Sequence, residues 1–297
     1  MSISRLAVDA ERRPRTGWRI LGYFVLWFAL YGVVLRLIAG PQPTTVRNVA
    51  GHLMVVGAGV ALTAVFRRFV DRRPWADIGL ALPDRRQLAS IAGGFVAGMA
   101  VVGLWFAIQL MLGTAKVTGV ELTERGVGGT AGVLAVGLLY YATSAMSEEV
   151  AFRGYLFQNL REALPAAWAV GVTGLLFASG HFLGGSSGPV HAVIGLVDLV
   201  LFSSLMILTR LRTGALWTAI SFHTAWNWAQ DCVFGVGVAG EDDYHNALLH
   251  VRLDGPSLLV GGPHNVDTDL LTILLEAALI ISYCWYTRTR KPTGVRS

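Results

Sequence analysis

The sequence predicts an all-α, polytopic membrane protein with about eight transmembrane helices. Three observations carry that expectation. Of the 297 residues, 54% are hydrophobic and only 14% are charged, with a mean hydropathy of +0.54. Soluble domains carry roughly 25% charged residues. The apolar residues gather into eight segments, near 19–38, 49–66, 88–112, 129–160, 164–184, 189–209, 213–234 and 269–287, each close to or above the ~20 residues that a helix needs to cross a bilayer. The basic residues gather at the segment ends, the distribution that sets membrane topology.

Each segment follows from its flanks. The basic stretch Arg5 to Arg19 precedes the first apolar run. That run is too long for a signal-peptide core and lacks a small-x-small cleavage site, so it reads as a retained anchor. With the N-terminus placed in the cytoplasm, eighteen of the 24 Lys and Arg residues fall on the cytoplasmic side, and Arg36, Arg47, Lys116, Arg125 and Arg252 fall outside. Arg153 stays within the membrane. This loop-by-loop bias predicts eight spans with both termini cytoplasmic. The fourth segment runs on through a charged motif, so it is expected to be either a longer helix or a broken one buried in protein. Short loops and a high Ala, Gly and Arg content fit a multi-pass protein of a bacterial plasma membrane. The chain reads as four regions: 1–128 with three helices, a core at 129–234, an outer loop at 235–268, and a last helix with a basic tail at 269–297.

Composition excludes some function classes. A pI near 9.5 could point to nucleic acid, but the arginines form no single basic face. The expected partner is the lipid bilayer, with no nucleic acid. Cys232 and Cys284 show no metal-ligand spacing and read as packing residues. The patch Glu241-Asp242-Asp243 reads as a solvated loop.

The informative feature is Glu148-Glu149-x-x-x-Arg153 after the charge-free run Val133 to Met146. Carboxylates at membrane depth are costly and are kept for function. Glu149 and Arg153 are four apart on one helix face and are expected to form an ion pair. Glu148, rotated by about 100°, is free to act elsewhere. His181 follows Phe177 by one turn, and His223 and Asn227 share a face in the seventh segment. Counted from the nearest turns, Glu148, His181 and His223 lie ~21, ~25 and ~17 Å along their helices at 1.5 Å per residue. Three spans can therefore bring them into one cavity.

Such a set can do three kinds of chemistry. A glutamate and a histidine can hold and deprotonate water for amide hydrolysis, while a second histidine and an amide stabilise an oxyanion. Alternatively, Glu148, His181 and His223 can form a two-His, one-carboxylate Zn2+ site. The third option is an ion- or proton-coupled transporter using Glu148, His181 and Asp198 as a relay, though no internal repeat supports it. No HExxH motif occurs. His191 reads as a loop or interface residue, and His245, His250 and His264 as solvent-exposed. Tyr140, Tyr141 and Tyr155 read as packing or interface residues.

The three motifs, in this order and in separate apolar segments, resemble those of the CPBP intramembrane proteases, which include CAAX prenyl endopeptidases of the Ras-converting-enzyme type and bacteriocin-processing or self-immunity proteins. Arg73-Pro74-Trp75-Ala76-Asp77-Ile78-Gly79-Leu80 also resembles a stretch of bacterial members. The resemblance implies an eight-helix fold and endopeptidase activity, of metalloprotease or glutamate-protease type. Glu148 and His181 would activate water, His223 and Asn227 would stabilise the oxyanion, and Glu149 and Arg153 would complete the set. The implied substrate is a membrane-associated peptide or protein, either a CAAX-like prenylated C-terminus or a bacteriocin or leader-type peptide. A catalytically idle scaffold or immunity protein should have lost Glu148 or a histidine, and this chain keeps them.

Overall fold

Every one of the eight apolar segments is helical where it is described. The structure, a computed structural model, describes residues 8–9, 11–38, 45–181, 188–237, 247–261 and 268–288. His245, His264 and the acidic patch at 241–243 lie outside the described residues. The helices are α1 (Thr16–Ile38), α2 (Thr45–Val65), α3 (Arg85–Met111), α4 (Glu121–Glu149), α5 (Phe157–Ala163), α6 (Ala166–His181), α7 (Pro189–Thr213), α8 (Trp217–Trp228), the single turn α9 (Ser257–Val260) and α10 (Leu270–Arg288). Five stretches are long and apolar enough to cross a membrane: Thr16–Val34, Val49–Val70, Arg85–Met111, Arg125–Ala163 and Pro189–Thr213. The segments at α6, α8 and α10 form shorter helices.

The fourth segment takes the longer of the two expected forms, a continuous helix through the charged motif. It bends at Gly126, where φ is 68°, and then runs unbroken to Ala163 through a π-helical stretch at Val150–Leu156. π turns occur often at functional sites, and this one begins directly after Glu149. A second π stretch, Ala229–Val233, follows α8, and a third, Phe66–Val70, ends α2.

The region read as plain loop needs correction. Strand β1 (Ala115–Val120) pairs antiparallel with β2 (Leu249–Leu253), with an irregularity between Val117 and Gly119. This ribbon joins the α3–α4 connection to the 235–268 region. Both strands are short, and β2 alternates Leu249, Val251 and Leu253 with His250 and Arg252, the pattern of a strand. His250 within it is only half exposed, and its Nε2 lies 2.9 Å from Glu121. Hydrogen bonds from Arg125 and then His250 hold the Glu121 carboxyl below the usual carboxylate range.

Two devices position the helix that carries His223. Gly94-x-x-x-Gly98 on α3 lets α8 approach to backbone contact. A Cβ at Gly98 would sit 2.7 Å from the Phe222 carbonyl oxygen. Small residues at this spacing are a recurrent means of close helix packing in membranes. The second device is the segment from Pro74 to Ala81. Ile78 is fully buried against Val150, Leu216 and Ile220. The Gly79 carbonyl accepts from Leu216 N–H at 2.9 Å, and Arg210 donates to the Asp77 carbonyl at 2.7 Å. Gly79 adopts φ 85°, and a side chain there would collide with the Arg210 guanidinium. The start of α8 is thereby tied to the π stretch beside the glutamates.

Tyr155 is buried in the core as expected and stacks on Tyr23 at a ring distance of 3.9 Å. Tyr141 is also buried, and its hydroxyl donates to Asp231 at 2.8 Å. Among the described residues neither cysteine forms a disulfide, and Cys232 is buried.

Candidate active site

The glutamates sit at the last turn of α4, where the helix widens into its π stretch. Glu149 points into the core. Its Oε1 lies 2.9 Å from Arg153 Nη1, and both side chains are fully buried. Arg153 also lies over the Phe177 ring, 4.2 Å from its centroid, which supplies part of the stabilisation a buried cation requires. The i, i+4 spacing thus yields the expected ion pair.

The sequence did not reveal that the same Glu149 oxygen also lies 3.0 Å from His223 Nδ1. Glu149 is ion-paired and accepts only, so this nitrogen carries the proton. His223 is held further by Phe202, whose ring packs edge-on at 4.9 Å. His181 closes α6, and its Nδ1 donates to the Phe177 carbonyl at 3.0 Å. Phe177 therefore serves three groups. It lies under Arg153, packs against the His181 ring at 4.6 Å and fixes the tautomer of His181.

With Nδ1 protonated, each imidazole in its neutral form has its lone pair on Nε2. Each lies 3.9 Å from Glu148 Oε2. That oxygen is inaccessible and has no hydrogen-bond partner. A separation of 3.9 Å is too long for a direct hydrogen bond. Three acceptor atoms from α4, α6 and α8 thus face one another with no donor among them. Two acceptors sharing one water at ~2.8 Å each stand about 4.4 Å apart, so a single water is the right size to join them. The side chains of Glu148 and His181 are 19% and 22% exposed, while that of His223 is 4% exposed. Asn227 is buried one turn beyond His223 on α8. Asp198 is buried on α7, and His191, in the first turn of α7, lies 3.3 Å from the Ser257 carbonyl.

Residues 130–229 match the family model described as Rce1-like, type II CAAX prenyl endopeptidase. Over these residues the chain is similar to the core of the CPBP family. The match covers about a third of the chain and contains Glu148, Glu149, Arg153, His181, His223 and Asn227. No curated protein matches the chain significantly. The matched description is that of a CAAX-type endopeptidase, and the apolar helices are those of a membrane protein.

The site geometry also permits a test of the zinc expectation. Two imidazole nitrogens and a carboxylate oxygen are the right donors for Zn2+. Their spacing is not. Ligands ~2.0–2.1 Å from a tetrahedral ion stand about 3.3 Å apart, whereas Glu148 stands 3.9 Å from each nitrogen. Among the described residues no group of three His, Cys, Asp or Glu side chains is arranged to hold a metal ion. The proposed ligand set Glu148, His181 and His223 does not fit zinc in this arrangement.

Proposed function

We propose that the protein cleaves a membrane-associated peptide by water activated between Glu148 and the two imidazoles. The observation that carries this reading is the convergence of three acceptor atoms, Glu148 Oε2 and the Nε2 atoms of His181 and His223, with spacings of 3.9 Å. A water there gives one proton to Glu148 and directs the other at an imidazole nitrogen. Its remaining lone pair is free to attack a carbonyl carbon. As the carbon–oxygen bond forms, Glu148 takes the proton. When the carbon–nitrogen bond breaks, Glu148 returns that proton to the leaving amine and is ionised again.

The oxyanion needs donors. Asn227 supplies an amide N–H. His223 Nε2 accepts a hydrogen bond from the second O–H of the attacking water and becomes a donor to the oxyanion only when that second water proton passes to it, with its Nδ1–H anchored on Glu149. This differs from a role as a standing oxyanion donor and makes Glu149 a positioning residue for His223. No step requires a metal. The substrate class that suits the family is a prenylated CAAX-like C-terminus, and a bacteriocin or leader-type peptide fits the same chemistry.

The test is cleavage of prenylated and leader-type peptides by protein reconstituted in liposomes. Glu148→Gln keeps the shape of the side chain and removes the base, so kcat should fall ~10²–10⁴-fold. His181→Ala should fall comparably, with both variants still folded. Near-normal cleavage by Glu148→Gln ends the mechanism.

A further inference from the structure

A second polar site lies where α2 ends. A cavity of about 500 Å³ is lined by Ala64, Arg67, Arg68, Arg72, Arg73, Pro74 and Trp75. Four guanidinium groups in one cavity are costly unless anions balance them. Two are already balanced. Arg67 is buried and bonds Asp71 at 3.1 Å and Asp77 at 3.0 Å, and Arg73 bonds Glu162 at 3.1 Å. The other two are not. Arg68 and Arg72 are exposed, and among the described residues neither makes an ion pair. Arg68 touches only the Phe69 ring, at 5.8 Å, and Arg72 reaches the Glu11 carbonyl at 3.5 Å.

The backbone adds an independent signal. Arg72 adopts φ 53°, a left-handed conformation that disfavours any residue with a Cβ. Strain of this kind persists where surrounding structure enforces it, and it clusters at ligand sites. Here Asp71 enforces it. That residue is buried, with Arg19, Arg67, Tyr155 and Asn159 all bonded to its carboxylate. A rigid anchor therefore holds a strained arginine at the rim of the cavity.

Position identifies the ligand. The cavity sits at the end of the apolar stretch Val49–Val70 and before the stretch starting at Arg85, which is the level of lipid headgroups. Phe69 is 70% exposed beside it, and Trp75 at its rim is also exposed, as is usual for aromatic residues at a membrane interface. We propose that this cavity binds the phosphate of an anionic phospholipid headgroup, with Arg68 and Arg72 as its principal contacts. Guanidinium forks suit phosphate oxygens, and the exposed aromatics lie against the lipid's acyl region.

The test uses the full chain, purified in detergent, delipidated and examined by native mass spectrometry. Short-chain phosphatidylglycerol, phosphatidylcholine and inorganic phosphate are titrated separately against wild type and an Arg68→Gln/Arg72→Gln variant. Wild type should bind phosphatidylglycerol at least tenfold more tightly than phosphatidylcholine, and the variant should lose that preference while its thermal midpoint without lipid is unchanged. Equal binding of the two lipids by wild type, or an undiminished preference in the variant, overturns the proposal. Inorganic phosphate binding as tightly as phosphatidylglycerol also overturns it, because the source would then be a free anion. If the double variant does not fold, Arg72→Gln serves instead and should lower the preference at least threefold. No loss of preference in Arg72→Gln overturns the proposal.

Discussion

Replacing Glu149 by alanine should separate folding from chemistry at two adjacent carboxylates. Glu149 and Arg153 are both fully buried at 2.9 Å. Removing one partner of a buried pair costs ~3–5 kcal/mol, because the other charge is left in a poor solvent. The same change strands the His223 Nδ1–H, now 3.0 Å from Glu149, and an orphaned buried donor costs ~1–3 kcal/mol. These losses share one carboxylate and do not simply add. The Phe177 ring, 4.2 Å from the guanidinium, faces it with or without Glu149 and so does not offset the loss. The expected drop is therefore about 3–5 kcal/mol, read from equilibrium unfolding in mixed micelles. Glu148→Gln should lose less than ~1 kcal/mol, since its Oε2 makes no bond that the amide forfeits. Adding Arg153→Met to Glu149→Ala should restore most of the stability, as hydrophobic replacements of buried pairs do. Cleavage should stay impaired ~10–100-fold, the typical loss when a positioning partner is removed from an active-site histidine. A Glu149→Ala protein within ~1 kcal/mol of wild type, or a double variant that recovers cleavage as well, refutes the reasoning.

Two further outcomes follow from the geometry. Exhaustive chelation should leave cleavage unchanged, and zinc add-back should not raise it; a loss on chelation that zinc reverses would show that the site closes to metal-ligand spacing in the working protein. Gly98→Ala should lower both stability and kcat, because the new Cβ would stand 2.7 Å from the Phe222 carbonyl, backbone that cannot move aside, and α8 would be displaced with His223 and Asn227. Overpacking of this kind costs ~1–3 kcal/mol, and wild-type melting and activity in that variant would contradict the proposed helix contact.

The fold was legible where a single physical rule governed it. Apolar segments of bilayer length had to be helices, because nothing else satisfies their backbone there. The Glu149–Arg153 pair followed from the four-residue spacing on one helix face. What escaped were contacts between distant segments. Nothing in a helical period says that His223 will meet Glu149, 74 residues away. The role of Arg13, Arg19 and Arg67 escaped for a related reason. They counted correctly as basic residues near segment ends, yet all three are buried, Arg19 and Arg67 on Asp71 and Arg13 on Asp9 and Glu162. Positive charge near a membrane can serve topology and packing at once. One signal was available and went unread: Gly94-x-x-x-Gly98 carried the close contact between α3 and α8. The zinc expectation rested on donor type, and spacing is the part of metal binding that sequence does not encode.

The central claim is that Glu148 acts as a base on water and is not itself the nucleophile. Single-turnover cleavage in oxygen-18 water, with enzyme in excess over peptide, tests this directly. Direct attack by water puts the label only in the new C-terminal carboxylate of the product and leaves the mass of the peptide containing Glu148 unchanged. Label found in the Glu148 side chain would mean that an acyl-enzyme had formed and been hydrolysed there, and the proposed role of Glu148 would be wrong.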